Sequence, residues 1–369
     1  MERERLELIA HNLHKQIGPR KAAAMLYRLY GQRRDRLFGR ATGIEVDSAP
    51  ELPKMNGGLL DPEKRREAEA ELHRASTHGA SIVTWLDSDY PKFLRRALHP
   101  PPVLYVKGEI TPQDEIAVGI VGSRRPTRDY IEFAYELSYQ VAAKGVTVVS
   151  GLARGIDRAA HEGALAGGGR TIAVLGSGID VIYPTEHAAL AESIASRGAL
   201  ASFFPMGTPP LPHHFPARNW VIASLCCGIV VVQGSRRSGA MITANFAGAL
   251  GREVMAVPGH VEHALSQGPH DLLRDGAVLV TSAADVLDCI DSALQFAGLK
   301  RSRPKSGRGS SLEERIVERL AAGPADVGDL AQVLGADLSS VLGALTRLEV
   351  SGRVSSLSQS TYRLRHDSP

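Results

Sequence analysis

Residues 116–128 read Ile-Ala-Val-Gly-Ile-Val-Gly-Ser-Arg-Arg-Pro-Thr-Arg. The apolar run 116–121 has the length and the β-branched content of a strand buried on both faces. It breaks at Gly122-Ser123 and then presents Arg124, Arg125 and Arg128, while Pro126 bars any continuation of the strand. Residues 129–141 follow with the spacing of a helix. A strand, a tight turn and a helix start together make an anion site. Backbone N–H groups at a helix N-terminus lack intrahelical partners, and the helix dipole favours negative charge there. The arginines add mobile positive charge to that fixed seat. This stretch alone leaves open which anion it holds.

Outward from it the pattern is regular. Strand-like runs occur at 81–86, 103–106, 116–121, 146–150, 171–175, 199–204, 228–233, 254–257 and 277–281, with helix-like segments between most of them. Strands alternating with helices imply a mostly parallel sheet covered on both faces, an α/β, Rossmann-like, doubly wound domain over residues 81–295. Residues 1–80 read as a helical domain. A Gly18-Pro19 break between two helices gives a helix-hairpin-helix or sterile-alpha-motif-like layout. The arginines that follow, Arg33, Arg34, Arg36 and Arg40, are either phosphate contacts or a solvated face. Residues 296–311 are basic and rich in Ser and Gly, and read as a flexible linker. Residues 312–369 show three amphipathic helices and two short strands, the order of a winged helix. Its third helix carries Arg347 as its only basic residue, beside Glu349, so a protein-contact or weak DNA role is favoured over sequence reading.

The formal net charge of the 369-residue chain is only +3, so any basic patch must be local. Cys226 and Cys227 are adjacent in an apolar run and Cys289 stands apart, with no Cys-x-x-Cys spacing. They read as small buried hydrophobes. No apolar stretch reaches membrane-spanning length and the first residues lack a signal-peptide core. A soluble, cytoplasmic protein with no membrane partner is expected.

In an open parallel sheet, ligands bind at the carboxyl ends of the strands. Here those ends carry Gly122-Ser123-Arg124-Arg125, Gly151-Leu152-Ala153-Arg154, Gly176-Ser177-Gly178 and Gly234-Ser235-Arg236-Arg237. Phe215-Pro216-Ala217-Arg218-Asn219-Trp220 adds a further arginine among aromatics. Glycine at one strand end is ordinary turn chemistry, but arginine recurring along one edge points to a phosphate-bearing ligand. There is no Gly-x-x-x-x-Gly-Lys-Ser/Thr loop, and Gly176-Ser177-Gly178 has Val181 where a dinucleotide site has its third glycine. No nucleophile with base and orienter is evident, and Asp157 with His161 reads as cap and packing before a metal pair. No catalytic residue, metal or cofactor is expected. A binding platform for a polyanion fits these loops better than a catalytic pocket: Arg124, Arg125, Arg154, Arg218, Arg236 and Arg237 for phosphates, with Phe215 and Trp220 as aromatic faces for a ligand or as buried core.

Read together, these loops resemble the DNA-processing protein A family (DprA, also called Smf). The residues that carry the likeness are Val121-Gly-Ser-Arg-Arg-Pro-Thr127, Ser150-Gly-Leu-Ala-Arg-Gly-Ile-Asp157 with His161, Val174-Leu-Gly-Ser-Gly-Ile-Asp180 with Tyr183-Pro184, Phe215-Pro-Ala-Arg-Asn219, Ser238-Gly-Ala-Met-Ile-Thr-Ala244 and Ala256-Val-Pro-Gly259. The resemblance implies a homodimer that binds single-stranded DNA in natural transformation. It also implies that the protein protects incoming strands and helps load the recombinase RecA past single-strand-binding protein. It places the phosphate pocket on Arg124, with Gly122, Ser123, Gly151, Arg154 and Arg218. The chain departs from the family pattern at Trp220, where arginine is usual, at Phe203-Phe204, and at His270, where asparagine is usual. The alternatives are a nucleotide-hydrolysing, phosphoribohydrolase-like enzyme, whose Pro-Gly-Gly-x-Gly-Thr loop is missing here, or a regulator acting through the winged helix.

Overall fold

A computed structural model of the chain describes residues 2–15, 61–97, 100–296, 312–321, 323–350, 353–356 and 360–364. The helical turn expected after residue 15, the basic run Arg33–Arg40 and the linker residues 300–311 lie outside the described residues. The chain divides into two compact units, Met1–Arg303 and Pro304–Pro369.

The larger unit is built on a nine-stranded sheet. Its strands are β1 (Ala80–Thr84), β2 (Val103–Gly108), β3 (Ala117–Val121), β4 (Thr147–Ser150), β5 (Thr171–Val174), β6 (Ala199–Ser202), β7 (Gly228–Val231), β8 (Glu253–Ala256) and β9 (Val278–Leu279). The spatial order is β1-β2-β6-β5-β4-β3-β7-β8-β9. β3 to β9 pair parallel, whereas β2 lies antiparallel to both β1 and β6. The mostly parallel, doubly wound sheet expected from the alternation is therefore present, with an antiparallel extension at one edge.

Six strands, β1, β5, β6, β7, β8 and β9, stop one or two residues earlier than the apolar runs suggest. β1 ends at Thr84 because the Asp87 carboxylate accepts from Thr84 N at 2.7 Å and from its hydroxyl at 3.0 Å. β6 ends at Ser202, whose hydroxyl donates to Ser177 O at 2.6 Å and accepts from Phe204 N at 3.1 Å. Phe203 and Phe204 then turn into the core.

Side chains of β3 and β7 alternate between the two faces of the sheet. Val118, Ile120 and Val230 join one apolar layer with Leu137 and Val141 of the helix Arg128–Ala143 and Ile156 of the helix Ile156–Ala166. Ala117, Val121, Ile229 and Val231 join the opposite layer with Trp220 and Val221 of the helix His214–Leu225. That two-sided burial is why these strands read as continuous apolar runs. Gly119 leaves room for Ile229 of the neighbouring β7, since a β-carbon there would collide with Ile229 Cδ1. The described N-terminal helices, Glu2–Lys15 and Pro62–Thr77, share a third core with β1 and β2 through Leu8, Ile9, Ala68, Ile82 and Tyr105. Buried Glu71 locks that contact, accepting from Tyr105 OH and from Met206 N, each at 2.8 Å.

The smaller unit contains helices Leu312–Ala321, Val327–Leu334 and Leu338–Val350, with β11 (Val354–Ser356) and β12 (Thr361–Leu364). A two-residue strand, β10 (Ala325–Asp326), also pairs with β12. It is too short for any pattern to announce. Its Asp326 caps the second helix by accepting from Gly328 N at 2.7 Å. The helix order and the three-stranded sheet are those of a winged helix.

Candidate nucleic-acid interface

The chain runs from β3 to β4 on one side of the sheet and from β7 to β8 on the other, while β3 and β7 are neighbours. The crevice outside their carboxyl ends is the topological switch point, where open α/β sheets bind ligands. Two turns meet there. Ser123 N donates to Gln233 O at 2.6 Å, and Thr127 N donates to the Gln233 side chain at 3.0 Å. Ser123 Oγ accepts from Arg125 N at 3.1 Å, and Ser123 O accepts from Ile156 N at 3.2 Å. The Gly122-Ser123 turn is thus tied to the segment just after β7 and to the start of the helix Ile156–Ala166. Gly122 permits it, because a β-carbon there would sit 2.5 Å from Ile156 Cγ1. Thr127 and Gly155 cap the two helices with no side-chain hydrogen bond, and at the second helix start the Ile156 and Arg158 N–H groups donate to Ser123 O and Ala153 O at 3.2 and 3.1 Å.

A cleft of about 560 Å³ opens at this point, walled by Gly122, Ser123, Arg124, Tyr183, Phe215 and Asn219 among others. A small adjoining recess is lined by Arg124, Gly151, Arg154, Tyr183, Phe215 and Arg218. Seven of the expected residues therefore meet here: Gly122, Ser123, Arg124, Gly151, Arg154, Phe215 and Arg218. Arg124 is exposed and its guanidinium lies 5.0 Å from the centre of the Phe215 ring. That cation–π contact holds the charge at the mouth, and Arg124 forms no ion pair among the described residues. Arg154 is also exposed, and pairs with Glu186 at 2.5 Å. The pair raises the Arg154 pKa and lowers that of Glu186. An exposed pair of this kind is weak and salt-screened, so a phosphate can take the arginine over.

Two expected contacts are corrected by burial. Arg218 is 4% exposed. Its Nη1 donates to Val174 O at 2.6 Å and to Gly151 O, and its Nε donates to Asn219 Oδ1 at 3.1 Å. The guanidinium staples the carboxyl ends of β4 and β5 and lies 5.9 Å from the centre of the same Phe215 ring. It borders the site from beneath and is no mobile phosphate ligand. Burial draws its pKa down to about 10, with Asp157 pushing it back up. Burial conversely raises the Asp157 carboxyl, which Arg218 pulls back down. Trp220 is 1% exposed and packs edge-on against Phe246 with ring centres 5.3 Å apart. Of the two readings of this side chain, core packing holds and base stacking does not.

Arg125, Arg236 and Arg237 are exposed but do not line the cleft. Arg236 is held by Asp271 at 2.6 Å and by Gln267 at 3.0 Å. Tyr183, Asp157 and Asn219 belong to the site and were not singled out as contacts in the sequence. Tyr183 had a usable signal, since it follows β5 as Arg124 follows β3. Among the described residues no cluster of His, Cys, Asp or Glu is arranged to hold a metal, and no helix is long and apolar enough to cross a membrane. Cys226 and Cys227 are buried, and burial raises both thiols.

A doubly wound sheet with a cationic switch-point cleft, in a chain that also carries a winged helix, is an anion-binding α/β protein. Residues 81–291 match the family described as DNA recombination-mediator protein A, and residues 300–359 match the DprA winged helix domain. The chain belongs to this DprA/Smf family. It is 36% identical over 284 residues to Protein Smf of Escherichia coli K12, covering 75% of each chain. It is 37% identical over 303 residues to the putative DNA processing protein DprA of Mycobacterium tuberculosis H37Rv, covering 76% of each. Among solved structures it matches DNA processing protein A of Streptococcus pneumoniae at 37% identity and a TM-score of 0.55, over 63% of this chain and 83% of that one. A Helicobacter pylori DNA processing protein A, whose structure is described by its unique single-stranded DNA binding mode, matches at 28% identity and a TM-score of 0.52, over 59% of this chain and 96% of that one.

Proposed function

We propose that the switch-point cleft binds single-stranded DNA without regard to sequence. The observation that carries this is Arg124, an exposed guanidinium poised over Phe215 at a Gly-Ser turn beside two helix starts, in a cleft with no nucleotide fingerprint. A phosphate there meets two exchangeable arginines, Arg124 and Arg154. The single-stranded DNA binding mode described for the Helicobacter pylori relative supports the same ligand. Following the family resemblance, the protein protects incoming strands in natural transformation and helps load RecA past single-strand-binding protein. A homodimer offers two clefts to one strand, which raises avidity without a new contact. Sequence reading is not assigned to the winged helix. Arg347 is tied to Glu313 at 2.6 Å, and the third helix shows outward Leu338, Leu342 and Thr346.

Arg124→Ala is expected to weaken binding of an oligo-deoxythymidine at low salt by about tenfold, near 1.4 kcal/mol. A mixed-sequence oligonucleotide should lose the same factor, and the logarithmic salt slope should fall by about one phosphate. Fluorescence anisotropy of labelled strands measures both. Unchanged affinity in Arg124→Ala would remove the phosphate seat from this turn.

A further inference from the structure

We infer that Tyr183 is the surface on which one base of a bound single strand stacks, so that the site distinguishes nucleobase-bearing strands from bare phosphodiester. The inference rests on the single-strand reading of the cleft. It deepens that reading by naming what the site recognises besides charge.

The aromatic residues around the switch point differ in what already covers them. Phe203 and Phe204 are fully buried, packed on each other with centres 4.1 Å apart. Trp220 is inside the core. Phe215 is half-buried, with the guanidinium of Arg124 at 5.0 Å and that of Arg218 at 5.9 Å from its centre. A base stacking on Phe215 would have to displace an arginine that the phosphate needs. Tyr183 is different, being 41% exposed. Its ring is braced by Phe215, with centres 5.9 Å apart and planes tilted by 47°. Pro184 beside it is buried, and Pro184 O accepts from His187 N at 3.0 Å, which fixes the backbone that carries the ring.

Tyr183 lines both the cleft and the recess, and shares the recess wall with Arg124 and Arg154. An exposed aromatic ring therefore shares one wall with two exposed cations. That is the composition of a single-strand site, where arginines follow the backbone and aromatics take the bases. The recess itself measures about 20 Å³. It admits a water molecule but no nucleobase, so a base lies on the ring and does not enter the recess. Phenol and base stack through their π-faces whatever the base, which keeps the contact independent of sequence. In duplex DNA the base faces are already stacked within the helix, so the contact also favours single strands.

The test uses the full chain and two probes of equal length and charge, oligo-deoxythymidine and the same backbone with abasic sites throughout. Wild type is expected to prefer the base-bearing strand. Tyr183→Ala should lose about tenfold in affinity for oligo-deoxythymidine, the order of one base–aromatic stack, and almost nothing for the abasic strand. Tyr183→Phe should keep the preference, since no hydroxyl hydrogen bond is involved. Tyr183→Trp should show fluorescence quenching with oligo-deoxythymidine and none with the abasic strand, which reads the contact without relying on a truncation. If Tyr183→Ala folds and keeps the full preference, or if the tryptophan is silent to both strands while both bind, the inference is overturned and the single-strand reading stands. If wild type binds neither strand, it is the single-strand reading that fails.

Discussion

Arg218→Ala is expected to lower the free energy of unfolding by about 4 kcal/mol, whereas Arg124→Ala leaves it within about 0.5 kcal/mol. The two arginines lie near the same phenylalanine ring but stand in opposite surroundings. Arg124 is exposed and makes one cation–π contact. Arg218 is buried and supplies the donors for Val174 O and Gly151 O, at the ends of β5 and β4. Truncation leaves two buried carbonyl oxygens without donors, at roughly 1–3 kcal/mol each. It also opens a cavity where the side-chain stem had packed. Asp157 loses the cation that holds its carboxyl down, so its already raised pKa rises further. Backbone rearrangement cannot easily repair the gap. Gly151 is shaped around this guanidinium, and a β-carbon there would lie 2.5 Å from Arg218 Cζ. Urea titration of the two variants measures the contrast, with Arg218→Met separating lost volume from lost hydrogen bonds. An Arg218→Ala protein within about 1 kcal/mol of wild type would show that the staple is dispensable.

The same residue shows what the sequence could and could not disclose. The strand ends were legible because two-sided burial makes β3, β4, β5 and β7 continuous apolar runs, each closed by glycine. Their convergence on one cleft was not, because strand order is absent from sequence spacing. Only the pairing of β3 with β7 brings the Arg124 turn against Gln233. The stretch Phe215-Pro216-Ala217-Arg218-Asn219-Trp220 read as one basic-aromatic patch, but it belongs to the helix His214–Leu225. At about 100° per residue, Phe215 and Arg218 fall on neighbouring lines of a helix, while Trp220 is turned about 200° from Arg218. The first pair therefore reaches the site and Trp220 reaches the opposite core. Periodicity gave no warning, since nearly the whole circumference of this helix is buried and no polar face marks its orientation.

Acidification is expected to destabilise the protein through His161, by on the order of 2 kcal/mol between pH 7 and pH 4.5. This side chain is fully buried beneath the site. Thr171 donates its hydroxyl hydrogen to Val148 O at 2.8 Å, so the Thr171 oxygen is an acceptor for His161 Nδ1–H at 2.7 Å. That fixes the tautomer and leaves Nε2 as a bare, buried nitrogen with no partner. A proton there would create an unpaired internal charge. Burial, with the nearby His187 and Arg218, lowers the pKa from 6.5 to about 3. Because the folded value is depressed, the native state holds the neutral ring while the unfolded chain takes up a proton below pH 6.5. The contribution is complete above that value and is lost as pH falls toward 3, by about 1.36 kcal/mol per unit. Asp157 acts in the opposite sense, since its raised pKa favours the protonated native state as pH falls. The informative quantity is therefore the difference between two profiles. His161→Asn retains an N–H donor for Thr171 and has no proton to gain. It is expected to start less stable at pH 7 and to lose less on acidification, so that the two urea midpoints converge by pH 4.5. Parallel profiles across that range would mean that the ring is protonated without penalty, and that the pocket beneath the switch-point cleft is less dry than its burial indicates.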